Sequence, residues 1–269
     1  MDPKPLDVDL LLPQRGGSLF AERVGFGFAQ DAGILGLCGP SGSGKTTIMR
    51  IMAGLSFQAS GRVSVDGECW FDSSQGVALP FESRSVAYLP QAASLFPHMN
   101  VRENLVFAAR LEEGARSGQR SPRTLIIDLL RSFRSGRCLP GWAEEIIEIF
   151  GVSGLLRKGS RELSGGEVAR IALARCFLRS ARLYLLDEPF SGLDPESRFS
   201  LGRTLADLLK KTQAMAILVT HTPDEICSLA QGMVRLFPDR DDSRTPARMR
   251  PAGRGRETGS TVFFSGGPE

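Results

Sequence analysis

Gly39-Pro40-Ser41-Gly42-Ser43-Gly44-Lys45-Thr46-Thr47 decides the reading of this chain, and the residues on either side say what kind of fold holds it. The stretch fits G-x-x-x-x-G-K-[ST]. It follows the apolar run Gly33 to Cys38 and precedes Ile48, Ile51, Met52 and Leu55, which recur at helical spacing as a core-facing stripe. A strand, a glycine-rich loop and a helix in that order make a cradle for phosphate. The glycines let backbone N–H groups curl inward without Cβ clashes, and the helix N-terminus adds the positive end of its dipole. In such a cradle Lys45 reaches the terminal phosphates and the Thr46 hydroxyl ligates Mg2+.

Outward from the loop, short apolar runs alternate with helical patterns, which predicts an α/β fold with a mainly parallel sheet and crossover helices. Ser85 to Leu89, Arg182 to Leu186 and Ala216 to Thr220 read, with Gly33 to Cys38, as buried central strands. Gly61 to Gly67 alternates apolar and polar, the pattern of a half-exposed antiparallel strand that ends in a turn at Asp66-Gly67. The run Leu183 to Leu186 delivers two carboxylates, Asp187 and Glu188, at its C-terminal end. Beside a phosphate loop, Asp187 would hold Mg2+ and Glu188 would polarise an attacking water as general base. Leu163-Ser164-Gly165-Gly166-Glu167 stands before another helical pattern. A hydroxyl and open amides at a helix start form a second anion-binding feature, although a plain N-cap uses the same residues. Two half-sites on one subunit fit a head-to-tail dimer, in which each Ser164 loop closes on the partner's nucleotide and symmetry gives two sites.

The order of phosphate loop, Gln91, LSGGE, LLDEP, SGLD and His221 resembles the nucleotide-binding domain of ABC transporters over about residues 5 to 237. The resemblance implies a P-loop NTPase sheet, mainly parallel, with an antiparallel β subdomain and an α-helical signature subdomain at about 92–180. It implies ATP and Mg2+ as ligands and ATP hydrolysis as the activity. Gln91 then matches the glutamine that senses Mg2+ and the attacking water. Asp194, in Ser191 to Asp194, matches the loop coupling the two half-sites. His221 matches the histidine on the γ-phosphate, and His98 falls in a loop facing the membrane subunit. The family stacks adenine on an aromatic residue before the first strand of the loop, a place for which Phe20 is the candidate.

Within the family, Gly67 to Phe107 is most similar to molybdate importer ATPases, with sulfate and iron(III) importers sharing its LFPH-type loop. The partners so implied are a second copy of the chain, an integral membrane permease and, indirectly, a periplasmic or extracellular binding protein, at the cytoplasmic face of the membrane. A soluble ABC ATPase acting on DNA or ribosomes is the rival class, and those proteins usually carry two nucleotide domains or a coiled-coil insertion.

The bulk properties agree. The 269 residues are 42% hydrophobic and 23% charged, ordinary for a globular protein. A net charge of +3 is too mild to argue for nucleic acid, which is not expected as a partner. Five scattered cysteines, none spaced Cys-x-x-Cys, read as reduced thiols. The start lacks the pattern of a secretory signal, and no run approaches the roughly 18 apolar residues of a membrane helix. Two segments stand apart. Arg110 to Leu139 holds seven arginines and three acidic residues around Thr124 to Leu130, the texture of a solvated insertion at about 110–140. From Pro238 the chain turns polar, and a disordered tail is expected over 238–269, where molybdate importer ATPases usually carry an oxyanion-sensing β domain.

Overall fold

The computed structural model describes residues 5–12, 22–30, 32–91, 95–116, 139, 141–220, 228–236 and 261–264. They fall into two compact units. The first takes residues 1–31, 35–84 and 230–269; the second takes 32–34 and 85–229.

The first unit carries an antiparallel sheet ordered β2-β1-β4-β5-β6, from β1 (Leu6–Leu12), β2 (Glu22–Phe28), β4 (Ser60–Val65), β5 (Glu68–Asp72) and β6 (Val77–Ala78). In β1, Leu6, Val8, Leu10 and Leu12 are buried while Asp7 and Leu11 face out, so the period of two places one apolar face on the core. Asp66 and Gly67 turn β4 into β5 with φ of 51° and 79°, the pair of left-handed residues that a tight hairpin demands. The same unit holds β3 (Gly33–Cys38) from Leu35 onward, paired in parallel with β10 (Gly232–Leu236). It also holds β11 (Thr261–Phe264), paired antiparallel with β10. An unstructured tail over 238–269 therefore does not describe Thr261–Phe264.

Helix α1 (Lys45–Met52) follows β3 and buries Ile48, Met49, Ile51 and Met52. The expected stripe does not continue to Leu55, which is 46% exposed. Gly54 is the reason. It adopts φ 74°, its N–H donates to the Ile51 carbonyl at 3.0 Å, and the Leu55 N–H donates to the Arg50 carbonyl at 2.8 Å. That pair of bonds is a Schellman end, which turns the chain off the helix axis.

The second unit is built on β7 (Val86–Leu89), β8 (Leu183–Asp187) and β9 (Met215–Val219), with β7 parallel to β8 and β8 parallel to β9. All ten residues of β8 and β9 are buried, the continuous apolar run of strands covered on both faces. The N-terminal end of β3 joins this unit, where the Gly33 N–H donates to the Ala214 carbonyl at 3.1 Å. Helices α2 (Val101–Arg116), α3 (Gly141–Ile149), α4 (Gly165–Phe177) and α5 (Pro195–Thr212) complete it. Helix α4 packs on α2, α3 and β7. Trp142 lies on α3, whose Ala143 and Ile147 enter the core. Residues 117–138, most of the arginine-rich insertion, lie outside the described residues. Among the described residues, no helix is long and apolar enough to cross a membrane.

Candidate functional site

In the first unit the glycine-rich loop leaves β3 at Gly39 and enters α1 at Lys45. Gly39 has no room for a side chain: a Cβ there would stand 2.7 Å from Ser43 Oγ and 2.8 Å from the Leu236 carbonyl oxygen at the end of β10. Gly44 caps α1 with φ 88°, so the first helical N–H groups open onto the loop. Lys45 is buried, and its ammonium donates to the Gly39 and Pro40 carbonyls, both at 2.8 Å, which folds the side chain back along the loop. Ser43 is 3% exposed and its Oγ has no hydrogen-bond partner among the described residues. A buried hydroxyl without a partner costs about 1–3 kcal/mol, and an anion in the loop would remove that cost. Pro40, Ser41, Gly42 and Thr46 are exposed or partly so, with Thr47 half-buried just inside the helix.

The far end of α1 is held by a residue that the sequence reading passed over. Arg84 is 1% exposed and reaches four carbonyls. Nη1 donates to Ile51 at 2.7 Å and Met52 at 2.8 Å, Nε to Leu79 at 2.8 Å, and Nη2 to Trp70 at 3.1 Å. Its guanidinium also lies 5.9 Å from the centre of the Trp70 ring, whose Nε1 donates to Glu68. Burial pushes the Arg84 pKa down to about 10. The signal was an arginine placed directly before a buried strand.

In the second unit Asp187 ends β8 and is 3% exposed. Glu188 follows with φ 53°. Its N–H donates to the Val219 carbonyl at 2.9 Å and its carbonyl accepts from the Ser191 N–H at 3.2 Å, so hydrogen bonds on both sides hold the left-handed turn. Gln91 is exposed two residues beyond β7. Asn104, fully buried on α2, fastens the loop that follows: Oδ1 accepts from the Phe96 N–H at 2.8 Å and Nδ2 donates to the Asn100 carbonyl at 3.0 Å. Arg175 of α4 lies over Phe96, 5.5 Å from the ring centre, and burial lowers its pKa. His98 is exposed in this loop, its ring 6.1 Å from that of Phe96. His221 and Phe20 lie outside the described residues.

Ser164 is the N-cap of α4 and forms a full capping box with Glu167. Its Oγ accepts from the Glu167 N–H at 3.3 Å and donates to Glu167 Oε2 at 3.0 Å, and its own N–H donates to the same oxygen at 2.8 Å. Glu167 Oε1 pairs with Lys158 Nζ at 2.8 Å. Lys158 and these hydrogen bonds pull the Glu167 pKa down to about 2. Asp194 is likewise an N-cap, accepting from the Ser197 N–H at 2.9 Å at the start of α5, and the Ser197 hydroxyl, together with that N–H, lowers its pKa. The two caps are neighbours: a Cβ on Gly166 would stand 3.0 Å from Leu193 Cδ2, and Gly192, at φ 80°, lies against Gly165. The structure thus brings the Ser164 turn and the Ser191 to Asp194 loop together in one unit.

For a metal, the described residues offer no cluster of three or more His, Cys, Asp or Glu. The sequence-predicted donors are one carboxylate, one hydroxyl and one amide, Asp187, Thr46 and Gln91. Thr46 belongs to the first unit and Asp187 and Gln91 to the second, and each offers an oxygen donor of the kind that suits a hard cation rather than a soft metal.

The pattern described as ABC transporter matches residues 24–191, taking in the Lys45 loop, Gln91, Ser164 to Glu167, Asp187 and Glu188. The chain belongs to the ABC transporter family. It is 40% identical over 204 residues to the Molybdenum import ATP-binding protein ModC of Albidiferax ferrireducens, covering 76% of this chain and 49% of that one. It is 36% identical over 231 residues to the Molybdenum import ATP-binding protein ModC 1 of Azotobacter vinelandii, covering 86% and 53%. With ModC of Paramagnetospirillum magneticum the identity is 35% over 223 residues, 83% and 54%. The chain spans about half the length of these curated relatives. The likeness to molybdate importer ATPases read from Gly67 to Phe107 is met by relatives of that name.

Proposed function

We propose that this chain is the ATP-binding and ATP-hydrolysing subunit of an importer for molybdate or a related oxyanion, acting as one half of a nucleotide-sandwiching dimer. The observation that carries the reading is the Lys45 loop, with its buried, unpartnered Ser43 hydroxyl, in a chain of the ABC transporter family that is similar to molybdenum import ATP-binding proteins.

In this reading the Gly39 to Thr47 loop wraps the nucleotide's phosphates, and Lys45 exchanges the Gly39 and Pro40 carbonyls for phosphate oxygens. Thr46, Asp187 and Gln91 would hold Mg2+, which supplies charge neutralisation between phosphate groups. Glu188 accepts a proton from the attacking water, and His221 contacts the terminal phosphate. Ser164, Gly165 and Gly166 close on the partner subunit's nucleotide, while Asp194 and its loop couple the two half-sites. Phe20 is the proposed adenine contact. Closure would draw on a permease docked near the His98 loop, with the chain peripheral to the cytoplasmic face of the membrane and a binding protein delivering substrate from the other side.

Cells lacking this chain and any second molybdate system provide the test. Native protein should restore molybdate uptake, and Glu188→Gln should bind ATP yet restore none. Normal molybdate uptake without the chain would overturn the molybdate assignment, and uptake with Glu188→Gln at the native level would remove Glu188 as the base.

A further inference from the structure

The capping box at Ser164 has a consequence for closure that follows from counting protons. A serine hydroxyl has one proton to give. Ser164 gives it to Glu167 Oε2 at 3.0 Å, and the same carboxylate oxygen takes the Ser164 N–H at 2.8 Å. To hold a phosphate oxygen the hydroxyl must donate to it, so the bond to Glu167 must break first. The ionised carboxylate also repels the incoming anion. Lys158, 2.8 Å from Glu167 Oε1, offsets both effects by sharing the charge. Glu167 is mostly covered, with 17% of its side chain exposed, against 41% for Lys158.

We propose that Glu167 is a positioning residue that withholds the Ser164 hydroxyl from the partner subunit's nucleotide until closure, and that Lys158 sets how firmly it does so. This rests on the sandwich reading above. The two side chains then act with opposite sign. Glu167→Gln keeps an acceptor for the Ser164 N–H, because glutamine also completes a capping box, but removes the charge that strengthens the hydroxyl bond and repels phosphate. Lys158→Met leaves the carboxylate uncompensated and more demanding of the hydroxyl proton. Damage to the helix cap alone would weaken closure in both variants.

The test uses the purified chain carrying Glu188→Gln, so that hydrolysis does not undo the dimer, titrated with Mg-ATP and followed by light scattering. Glu167→Gln should lower the ATP concentration at half-dimerisation about fivefold, the difference between a charge-assisted and a neutral hydrogen bond. Lys158→Met should raise it about threefold. Dimers whose midpoints do not move, or move in the same direction for both variants, would overturn the role of Glu167 while leaving the sandwich intact. Absence of an ATP-dependent dimer in every variant would overturn the sandwich and this inference with it.

Discussion

Glu188 shows how one residue's backbone serves its side chain. A non-glycine residue at φ 53° carries strain of about 1–3 kcal/mol, which persists only where the surroundings over-determine it. Here the Val219 carbonyl and the Ser191 N–H hold it on either side. The turn takes Glu188 out of the pleat of β8, so two adjacent acids need not alternate across the sheet. Glu167 carries a pH signature at the same scale. Its carboxyl is held at about 2, below the ordinary 4.5, so it favours the folded state fully above about pH 4.5 and loses that contribution as pH falls toward 2. The melting-temperature gap between native protein and Glu167→Ala should be constant from pH 5 to 8 and shrink by about pH 3.5. A gap that widens on acidification would contradict the capping-box account.

Among the elements, α1 is fixed at the end away from the glycine-rich loop. Gly54 ends it in a left-handed turn, and a Cβ there would stand 2.8 Å from Arg84 Nε and 2.9 Å from the Leu79 carbonyl oxygen. Gly54→Ala should lower the free energy of unfolding in urea by about 2 kcal/mol or more, through both backbone strain and displacement of Arg84. The same glycine explains a sequence misreading. Helical spacing alone carries the apolar stripe on to Leu55, while the turn that exposes Leu55 depends on a φ that periodicity does not encode. The Asp66-Gly67 hairpin was legible because its turn chemistry is local. The alternation in Leu6–Leu12 was equally readable but overlooked, for want of a turn signal tying it to a partner. Arg84 was harder, since its four carbonyls come from segments brought together only by folding. β11 was illegible for a related reason: its partner β10 lies across an intervening polar stretch. Of the candidate site, the placement of the glycine-rich loop between β3 and α1, and of Asp187 and Glu188 at the end of β8, could be read directly, because each lies beside its element in the chain. That Ser164 and Asp194 both cap helices, and that their loops touch, required the fold.

For the whole molecule, ligand occupancy should register as stability. A ligand that binds only the native state adds about 2.7 kcal/mol at a hundredfold excess over its Kd. Mg-ATP should therefore raise the melting temperature of the native chain in a concentration-dependent way, and Lys45→Ala should abolish the shift. A full shift in Lys45→Ala would take the loop out of nucleotide binding. The division into two units also has a spectroscopic corollary. The chain contains two tryptophans, Trp70 beneath Arg84 in the first unit and Trp142 on α3 in the second. Each half of the protein thus carries its own intrinsic fluorophore. Replacing either indole with phenylalanine leaves a single tryptophan, and red-edge excitation, which the two tyrosines do not absorb, lets loss of structure in one half be watched without a label.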